Sequence, residues 1–444
     1  MRIASINLNK RLGNPQAKSH FEKWLEDHKV DLILAQEPWI RNKDYTISLR
    51  FFTDLGGNDS VHIWIRRKWI EQNVKLLAEN WQEINIGYFK IHNVYFSAYS
   101  SEERIQFLKK IEEYLLKSKT ASNIIVGDFN LAPRPEDGIV NGNISNFNTL
   151  EERDALNSLL DNRNLIDFSA DFVKNENIKY TIEKKSGFYS QFRCDLVIID
   201  KYLECIITGK YDHQVRKEPN SFTDHSAIIL ELPVDIPASN NYALDLFENL
   251  EVTGSSRRNS YSPHKTAISR KEPSSVAKFL IEKNIIDVKN KSLLDYGCGY
   301  GEDVKWYKSQ GINSVGWDPY KNFGYNTIAE GKYDIVTCIF VLNVLPNAYE
   351  RFNTIKKVIE YTKKGGKIIL AARSEEAILK EAENKNWQKH NDGFWSSISR
   401  QTFQKGIGLK EIKCYMNALG LEIDKITEEL QTINDTTIAI ITKN

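Results

Sequence analysis

The chain has 444 residues, of which 41% are hydrophobic, and this length allows two or three globular domains with apolar cores. Sixty basic and 59 acidic residues leave a formal net charge of +1. This balance excludes a strongly charged chain of either sign, and it neither supports nor excludes a polyanionic partner.

The first half of the chain combines many short strand-like runs with few helical ones. Helical period is plainest over residues 102–116, where Ile105, Leu108 and Ile111 share one face. The predicted strands cover residues 2–8, 32–35, 61–66, 94–98, 124–126, 196–199 and 227–230. Many strands and few helices predict two packed sheets flanked by helices, that is, a four-layer α/β sandwich.

A change of amino-acid composition separates this half of the chain from the next. Residues 235–262 turn to Pro, Asn and Ser, which predicts a linker between a domain at 1–234 and a domain at 263–444. Strands and helices then alternate strictly, which is typical of a Rossmann-like, doubly wound parallel sheet. The predicted strands are 292–294, 314–317, 335–340 and 367–371, and the predicted helices are 302–310 and 350–362. We therefore predict a two-domain α/β protein.

Polar side chains with the chemistry of a phosphodiesterase stand at the ends of several predicted strands. Cleavage of a phosphodiester requires a divalent cation, a base or an oriented water, and donors for the phosphoryl oxygens. Each residue alone is typical of a turn, whereas the ordered series is typical of an active site. Hard oxygen ligands of this kind suit Mg²⁺ or Mn²⁺ better than zinc. The series is Asn7, Glu37, Asp128, Asn130, Asp195, Asp224 and His225.

Three sequence blocks in this series resemble one family. Gln36-Glu37, Gly127-Asp128-Phe129-Asn130 and Thr223-Asp224-His225 together resemble the endonuclease/exonuclease/phosphatase family, over roughly residues 1–232. That family includes exonuclease III-like AP endonucleases, pancreatic-type DNases, deadenylases and inositol phosphatases. The resemblance implies that Glu37 is the principal metal ligand, that Asn7 and Asp224 support the metal, and that Asp128 activates or orients the attacking water.

The same resemblance implies which residues hold the phosphate. Asn130 and Tyr99 would bind the phosphoryl oxygens, and His225 would donate to the phosphate while Asp195 fixes its tautomer. The proline that often follows Tyr99 in the family is missing here. Residues 180–192 also lack the tryptophan-containing stretch of AP endonucleases, which argues against specificity for abasic sites. Nothing in these residues prefers DNA over RNA.

A glycine-rich turn opens the second half. Asp295 precedes Gly297, Gly299 and Gly301, and Asp318 ends the next predicted strand. Such a turn lets the backbone approach a ligand closely, and an acidic residue at the end of the next strand can accept ribose hydroxyls. The spacing alone would also suit a dinucleotide.

Asp295 before the first glycine and the run 333–345 favour methyl transfer instead. With them, residues 263–444 resemble class I S-adenosylmethionine-dependent methyltransferases. The resemblance implies that the glycines border the methionine and ribose of S-adenosylmethionine, that Asp318 holds the ribose, and that Asp334 lies near the cofactor. The expected cofactor-binding residues are Asp295, Gly297, Gly299, Gly301, Asp318 and Asp334.

A narrower resemblance concerns the setting and the methyl acceptor. Segments 264–268, 296–304, 341–345 and 399–405 resemble a methyltransferase family associated with DNA phosphorothioation gene clusters, which implies bacterial DNA modification or phage defence. The Asp/Asn-Pro-Pro-Tyr/Phe block for exocyclic amines is absent, and Asn343-Val344-Leu345-Pro346 stands in roughly its place. No Pro-Cys pair offers a thiolate for a pyrimidine carbon. Cys338 lies in an apolar strand and is expected in the core. Candidate substrate contacts are His264, Arg270 and Arg400.

The leading hypothesis is a bifunctional enzyme, a nuclease joined to a methyltransferase, with DNA or RNA as substrate. One alternative is a phosphatase and methyltransferase acting on a small phosphorylated metabolite. Another treats the second domain as a binding module for S-adenosylmethionine that regulates cleavage. Five scattered cysteines, no signal peptide and no apolar run near ~20 residues favour the cytoplasm and exclude a membrane partner. The oligomeric state and the choice between endo and exo cleavage stay open.

Overall fold

The structure is a computed structural model of the chain. It divides into two compact units, Met1–Thr253 and Gly254–Asn444, which are treated separately here. Within the described part of the chain, no helix has the length and apolar character needed to cross a bilayer. The described residues are 1–38, 48–67, 74–86, 89–117, 122–174, 176–184, 189–234, 261–286, 291–327, 331–419, 421, 425–426 and 435–443.

The first unit is built largely from strands, with a helix before or between them at three places. Its helices are α1 (Pro15–Asp27), α2 (Ser101–Lys117) and α3 (Leu150–Arg163). Its strands are β1 (Arg2–Asn7), β2 (Leu32–Gln36), β3 (Phe52–Gly57), β4 (Val61–Arg66), β5 (Val74–Ala78), β6 (Trp81–Ile86), β7 (Phe89–Tyr95), β8 (Ser122–Asp128), β9 (Gly138–Val140), β10 (Asn143–Ile144), β11 (Leu165–Asp167), β12 (Ile182–Lys184), β13 (Ser190–Phe192), β14 (Asp195–Asp200), β15 (Thr208–Asp212) and β16 (Ala227–Glu231).

These strands form two six-stranded sheets and a smaller one. The large sheets have the orders β15-β16-β1-β2-β4-β3 and β11-β14-β8-β7-β6-β5, and the small sheet has the order β10-β9-β13-β12. In the first large sheet β1 pairs in parallel with β2 and antiparallel to β16. In the second, β8 pairs in parallel with β7 and antiparallel to β14. The same local pattern therefore surrounds Asn7, which ends β1, and Asp128, which ends β8.

Helices cover one face of each large sheet. Phe21 of α1 packs with Ile6 and Ile33 of the first sheet. Residues of α2 and α3, including Ile111, pack with Ile125 of the second sheet. Because side chains alternate along a strand, Asn7 and Asp128 lie on the opposite faces. Hydrogen bonds of polar side chains join those faces, among them Gln36 Nε2 to Asn93 Oδ1 at 2.6 Å and Asn93 Nδ2 to the Ala35 carbonyl at 3.1 Å.

A buried arginine ties the small sheet to the second large sheet. Arg193 lies between β13 and β14 and donates to both carboxylate oxygens of Asp137, at 3.0 and 2.7 Å. It also donates to Asp167 Oδ2 at 2.8 Å. The side chain of Arg193 is 1% exposed and those of Asp137 and Asp167 are 12% exposed, so removal of one partner leaves poorly solvated charges uncompensated.

Arg193→Met is therefore expected to lower the free energy of unfolding of the first unit by about 3–5 kcal/mol. Urea unfolding followed by tryptophan fluorescence measures this change. Lys174→Met is the matched control, because the ion pair of Lys174 with Asp171 is solvent-exposed. An Arg193 variant as stable as the control would show that the buried contacts contribute nothing.

The second unit contains one large mixed sheet and a small antiparallel one, with orders β18-β17-β19-β20-β25-β24 and β21-β22-β23. Its helices are α4 (Ser275–Glu282), α5 (Glu302–Ser309), α6 (Ala348–Tyr361), α7 (Glu375–Asn384) and α8 (Leu409–Ala418). Its strands are β17 (Ser292–Tyr296), β18 (Asn313–Trp317), β19 (Tyr333–Ile339), β20 (Thr362–Arg373), β21 (Gln388–His390), β22 (Gly393–Ser397), β23 (Thr402–Gln404), β24 (Lys425–Ile426) and β25 (Thr436–Thr442).

The large sheet of this unit differs from the predicted all-parallel sheet at one edge. Strands β18, β17, β19 and β20 are parallel, but β25 runs antiparallel to β20, and β24 antiparallel to β25. The start of the unit includes two residues of the predicted linker. Tyr261 and Ser262, expected in the linker, contact the second unit: Tyr261 stacks on Trp395, and the Ser262 amide donates to the Gln401 carbonyl at 2.7 Å. The rest of the predicted linker lies outside the described residues.

Candidate functional site

In the first unit, the side chain of Asn7 joins two carboxylates from different sheets. Its Nδ2 donates to Asp128 Oδ2 at 2.9 Å and to Glu37 Oε2 at 3.2 Å. Its Oδ1 accepts from the Asn9 amide at 2.8 Å, and Asn9 Nδ2 donates to Asp224 Oδ1, also at 2.8 Å. Three predicted metal-site residues and Asp128 therefore belong to one hydrogen-bonded group.

Backbone strain accompanies this group. Glu37 directly follows β2 with φ +46°, and Asn130 lies two residues after β8 with φ +44°. Non-glycine residues rarely adopt this left-handed region, and they persist there only where the surrounding structure fixes them. At Gly127, φ is +151°, and a Cβ would lie 1.9 Å from the Val94 carbonyl oxygen. Glycine is therefore required immediately before Asp128.

Asn130 holds Asp128 as well. Its backbone amide donates to Asp128 Oδ1 at 2.9 Å. Its side-chain Nδ2 donates to the Phe96 carbonyl at 3.0 Å and lies 3.3 Å from Asp128 Oδ2. In this structure the amide of Asn130 is thus engaged with the protein and positions Asp128.

His225 pairs with Asp195 across the two sheets. Its Nδ1 lies 3.0 and 3.1 Å from the two carboxylate oxygens of Asp195, which leaves Nε2 for another partner. The hydroxyl of Thr223 fixes the segment, because it donates to the Asn7 carbonyl at 2.5 Å and accepts from the His225 amide at 3.1 Å. Asp195 is the register partner of Asp128 in the β14–β8 pair.

The imidazole of His225 lies among carboxylates, and these groups shift one another's pKa values. Burial would lower the pKa of His225, but the carboxylates of Asp195, Asp128 and Asp224 outweigh it and raise that pKa to about 9. Burial, and then the charge of Asp195, raise the pKa of Asp128 to about 6. At neutral pH an ionised Asp128 therefore faces a protonated His225.

Two tyrosines line a cavity of about 610 Å³ beside this group. Tyr95 ends β7 opposite Asp128, and burial, followed by the charge of Glu37, raises the pKa of its phenol, which stays protonated. Tyr99 is 97% exposed. The charged residues of the lining are three glutamates and one lysine: Glu79, Glu102, Glu103 and Lys110.

In the second unit, the glycine-rich turn after β17 is shaped by close contacts. Gly297 and Gly301 have φ of +83° and +76°. A Cβ at Gly297 would lie 2.4 Å from Val341 Cγ2, and one at Gly301 would lie 2.3 Å from the Tyr325 hydroxyl. Gly299, with φ +54°, has open space around it, since its Cβ would meet nothing closer than 3.7 Å.

This turn borders a cavity of about 790 Å³. Asp318 Oδ2 accepts from the Gly299 amide at 3.0 Å, and Oδ1 accepts from the Tyr320 amide at 2.9 Å. The ring of His264 stacks on Tyr320 with centroids 3.9 Å apart. Asp295 is buried in the lining and accepts from Thr337 Oγ1 at 2.8 Å, and burial, followed by the charge of Asp303, raises the pKa of Asp295 to about 7.

The structure does not bring Asp334 to this cavity. Asp334 is near the beginning of β19 and accepts from the amide of Ser292, the first residue of β17, at 2.9 Å. It also accepts from Lys363 Nζ at 2.9 Å. Because β17 and β19 are parallel, their first residues lie at the edge opposite the glycine turn. The structure thus places Asp334 away from the cavity, whereas Asp295, Gly297, Gly299 and Asp318 line it. Gly301 belongs to the same turn but not to the lining.

Two family models match the chain, one in each unit. Residues 4–181 match the Endonuclease/Exonuclease/phosphatase family, and residues 269–425 match a methyltransferase domain. The chain carries both domains. The Thr223-Asp224-His225 block lies beyond the matched range of the endonuclease/exonuclease/phosphatase domain, and the glycine turn lies inside the matched range of the methyltransferase domain. No curated protein matches the chain.

Several solved structures resemble the chain. An AP endonuclease from Archaeoglobus fulgidus is 18% identical, over 52% of this chain and 98% of that one, with a TM-score of 0.43. A 3′-5′ exonuclease from Neisseria meningitidis is 16% identical, over 52% and 99%, with a TM-score of 0.43. An AP endonuclease from Leishmania major is 15% identical, over 52% and 86%, with a TM-score of 0.41.

The donor set of the endonuclease/exonuclease/phosphatase domain fits a hard divalent cation. Carboxylates of Glu37 and Asp128 contact Asn7, that of Asp224 contacts Asn9, and Lys10 approaches Glu37 only to 3.9 Å. Oxygen ligands of this kind suit Mg²⁺ or Mn²⁺. Glu37 and Asp224 would hold the ion, with Asn7 fixing Glu37.

A second group of possible ligands fits a metal less well. Ligand atoms of Asp128, Cys194 and His225 lie within 4.8 Å of one another. Burial, and then the charges of Asp128 and Asp195, raise the pKa of the Cys194 thiol, and the thiolate is the form that binds metals. His225 already uses Nδ1 to contact Asp195. These three residues therefore suit a soft metal less well than the oxygen ligands around Asn7 suit a hard one.

Two positions around the site were not predicted, and a third was named only as part of a sequence block without a role of its own. Asn9 links Asn7 to Asp224, and Tyr95 stands beside Glu37. Thr223, from the Thr223-Asp224-His225 block, links Asn7 to His225. The repeat Asn7-Leu8-Asn9 was an available signal for Asn9. Tyr95 gave none, because an aromatic residue in a strand is typical of a core.

Proposed function

We propose that the chain is a bifunctional enzyme, an Mg²⁺-dependent phosphodiesterase of nuclease type joined to an S-adenosylmethionine-dependent methyltransferase, with nucleic acid as its substrate. The observation that carries the first activity is the contact of Asn7 with both Glu37 and Asp128 beside the His225–Asp195 pair. The second activity is supported by the cavity that joins the glycine turn to Asp318.

In the nuclease reaction each residue has a separate task. A bound Mg²⁺ would offset phosphate charge and favour ionisation of water. Asp128, ionised and held by Asn7 and Asn130, accepts a proton from the attacking water and orients it. His225 is charged at neutral pH and donates from Nε2 to a phosphoryl oxygen, while Asp195 keeps the ring oriented.

In the methyltransferase domain, the residues of the cavity bind and orient the cofactor. Gly299 leaves room for the cofactor to approach the backbone, and Asp318 is held by two amides with its remaining lone pairs available to ribose hydroxyls. The cofactor would supply the methyl group. His264 and Arg270 line the same cavity, whereas Arg400 donates to the Lys265 carbonyl outside it.

Removal of divalent ions is expected to separate the two activities. With EDTA, cleavage of polynucleotides should fall to background and return with Mg²⁺, whereas methyl transfer should persist, since the second cavity relies on hydrogen bonds alone. The test mixes the full chain with S-adenosylmethionine and single- and double-stranded DNA and RNA, and resolves products by mass spectrometry. Cleavage that continues in EDTA would contradict the proposed metal dependence.

One observation favours a second candidate function, a phosphatase acting on a small phosphorylated metabolite that the other domain methylates. The cavity beside Tyr99 has three glutamates and one lysine, which suits a polyanion poorly. A polynucleotide substrate predicts that affinity falls steeply with salt, whereas a metabolite predicts a shallow dependence. The narrower resemblance to methyltransferases of phosphorothioation clusters supports bacterial DNA modification or phage defence as the setting of the leading proposal.

A further inference from the structure

Asn343 places a buried amide in the wall of the cavity of the methyltransferase domain. The residue is 2% exposed and belongs to the lining of the cavity of about 790 Å³. Its Oδ1 has no hydrogen-bond partner among the described residues. Buried acceptors in native proteins are nearly always paired, so an unpaired one in a cavity wall points to a donor that a ligand supplies.

The amide is held in place from one side. Its Nδ2 donates to Gln404 Oε1 at 3.0 Å, and its backbone carbonyl accepts from the Lys405 amide at 2.8 Å. Lys405 Nζ in turn donates to Glu411 at 2.5 Å, and Glu411 pairs with Arg351 at 3.1 Å. This buried ion network holds Lys405 and the end of β23, and Gln404 of β23 holds Asn343. Oδ1 is then the atom of the Asn343 amide that is left for a ligand.

The position of Asn343 separates it from the ribose side of the cavity. In the order β18-β17-β19, Asp318 follows β18 and Asn343 follows β19, on either side of the glycine turn. Asp318 directly follows β18, whereas Asn343 lies in a short helical turn four residues after β19. His264 stacks on Tyr320, on the Asp318 side. Asn343 therefore lines the cavity on the other side of the glycine turn from Asp318 and His264.

The other groups of the cavity narrow the chemistry of that acceptor. A hydroxyl needs a base to remove its proton, and a pyrimidine carbon needs a thiolate to activate it. The lone pair of an exocyclic amino nitrogen is delocalised into the base, and an acceptor for one of its N–H groups, such as an amide oxygen, helps to localise that lone pair on nitrogen for attack. Burial raises the pKa of the Cys298 thiol, which stays protonated. The carboxylates of the lining already accept hydrogen bonds or pair with a cation: Asp295 with Thr337, Asp303 with Ser274, Asp318 with Gly299, and Glu302 with Lys305. His264 is the other candidate base of the lining, and its ring stacks on Tyr320, on the Asp318 side.

We propose that the amide oxygen of Asn343 accepts a hydrogen bond from the exocyclic amino group of a nucleobase, and that this nitrogen is the methyl acceptor. The inference rests on the proposed methyltransferase function. The nitrogen lone pair forms the bond to the methyl carbon as the carbon–sulfur bond breaks, and that bonding pair stays on sulfur, which becomes a neutral thioether. The nitrogen then loses one proton to solvent, so atoms and charge balance.

Three variants test the role of Asn343. Asn343→Ala removes the acceptor oxygen and should lower methyl transfer at least about 100-fold. Asn343→Asp keeps an acceptor, to which Gln404 can donate by turning its amide, and should retain most of the activity. Asn313→Ala is the matched control, because Asn313 is exposed at the first residue of β18, at the opposite sheet edge, and should behave as the wild type. Calorimetry should show unchanged S-adenosylmethionine affinity in all three.

The probe is methyl-tritiated S-adenosylmethionine with single- and double-stranded DNA and RNA, followed by digestion to nucleosides and mass spectrometry. Label on an amino nitrogen of adenine, cytosine or guanine, lost in Asn343→Ala alone, is the expected result. Label on a ring carbon or a ribose oxygen, or equal activity in Asn343→Ala, would overturn the inference while leaving the methyltransferase in place. Cofactor binding with no labelled nucleoside would overturn the nucleobase acceptor. No cofactor binding would overturn the proposed function itself.

Discussion

Asp128→Asn is expected to lower the rate of phosphodiester cleavage by about 100- to 10,000-fold. The asparagine keeps the shape of the side chain and can still accept from Asn130, but a neutral amide cannot take a proton from water. Because the fold raises the pKa of Asp128, its ionised form is disfavoured in the folded protein. The neutral replacement should therefore leave the melting temperature unchanged or higher.

The measurement is single-turnover cleavage at saturating Mg²⁺ with a parallel thermal melt. His225→Ala should lose a comparable factor, since it removes the donor to the phosphate. Asp161→Asn, an exposed change on α3, is the matched control and should cleave at the wild-type rate. Wild-type cleavage by the Asp128 variant would rule out Asp128 as the group that activates water.

Asp318→Ala is expected to weaken S-adenosylmethionine binding by about 10- to 100-fold. The substitution removes the acceptor for the ribose and also releases the amides of Gly299 and Tyr320, which shape the turn. Isothermal titration calorimetry measures the dissociation constant. Asp334→Asn is the matched control, because Asp334 lies at the other edge of the sheet, and its affinity should equal that of the wild type. Equal affinities for the two variants would remove Asp318 from the cofactor site.

The same variant decides whether the second unit regulates the first. Under the leading proposal, Asp318→Ala leaves cleavage unchanged, because the groups that cut the phosphodiester all belong to the first unit. If S-adenosylmethionine instead controls cleavage, the rate should change in Asp318→Ala and no methylated product should form with the wild type. Cleavage assays with and without the cofactor distinguish these results.

Sequence patterns predicted several strands that end at site residues. The prediction succeeded where the alternation of apolar and polar residues matches the burial of the strand. The predicted strand at 61–66 coincides with β4, and the predicted strands at 2–8 and 32–35 differ from β1 and β2 by one residue. The strand predicted at 94–98 is instead β7, Phe89–Tyr95. The reason is that β7 buries His92 and Asn93, and these polar residues hide the alternation that normally identifies a strand.

Features that depend on distant partners could not be predicted in this way. Helix α3 went unpredicted because only Leu156 and Leu159 among its apolar residues are buried, which gives little helical period. The antiparallel direction of β25 depends on its pairing with β20, which no local pattern encodes. The position of Asp334 was misjudged for a related reason: a strand has two ends, and only the parallel pairing of β17 and β19 shows which end meets the glycine turn.

The residues around Asn7, Asp128 and His225 come from strands and strand ends of two sheets, and one property follows from this arrangement. Asn7 ends β1 of the first large sheet and His225 lies two residues before β16 of that sheet, whereas their partners Asp128 and Asp195 belong to β8 and β14 of the second. A slide of one sheet over the other by a single ångström would break both contacts without exposing either apolar core. The rate of cleavage therefore reports how accurately the two sheets are packed against each other. Loss of the Gln36–Asn93 hydrogen bond would lower the cleavage rate more than it lowers the melting temperature.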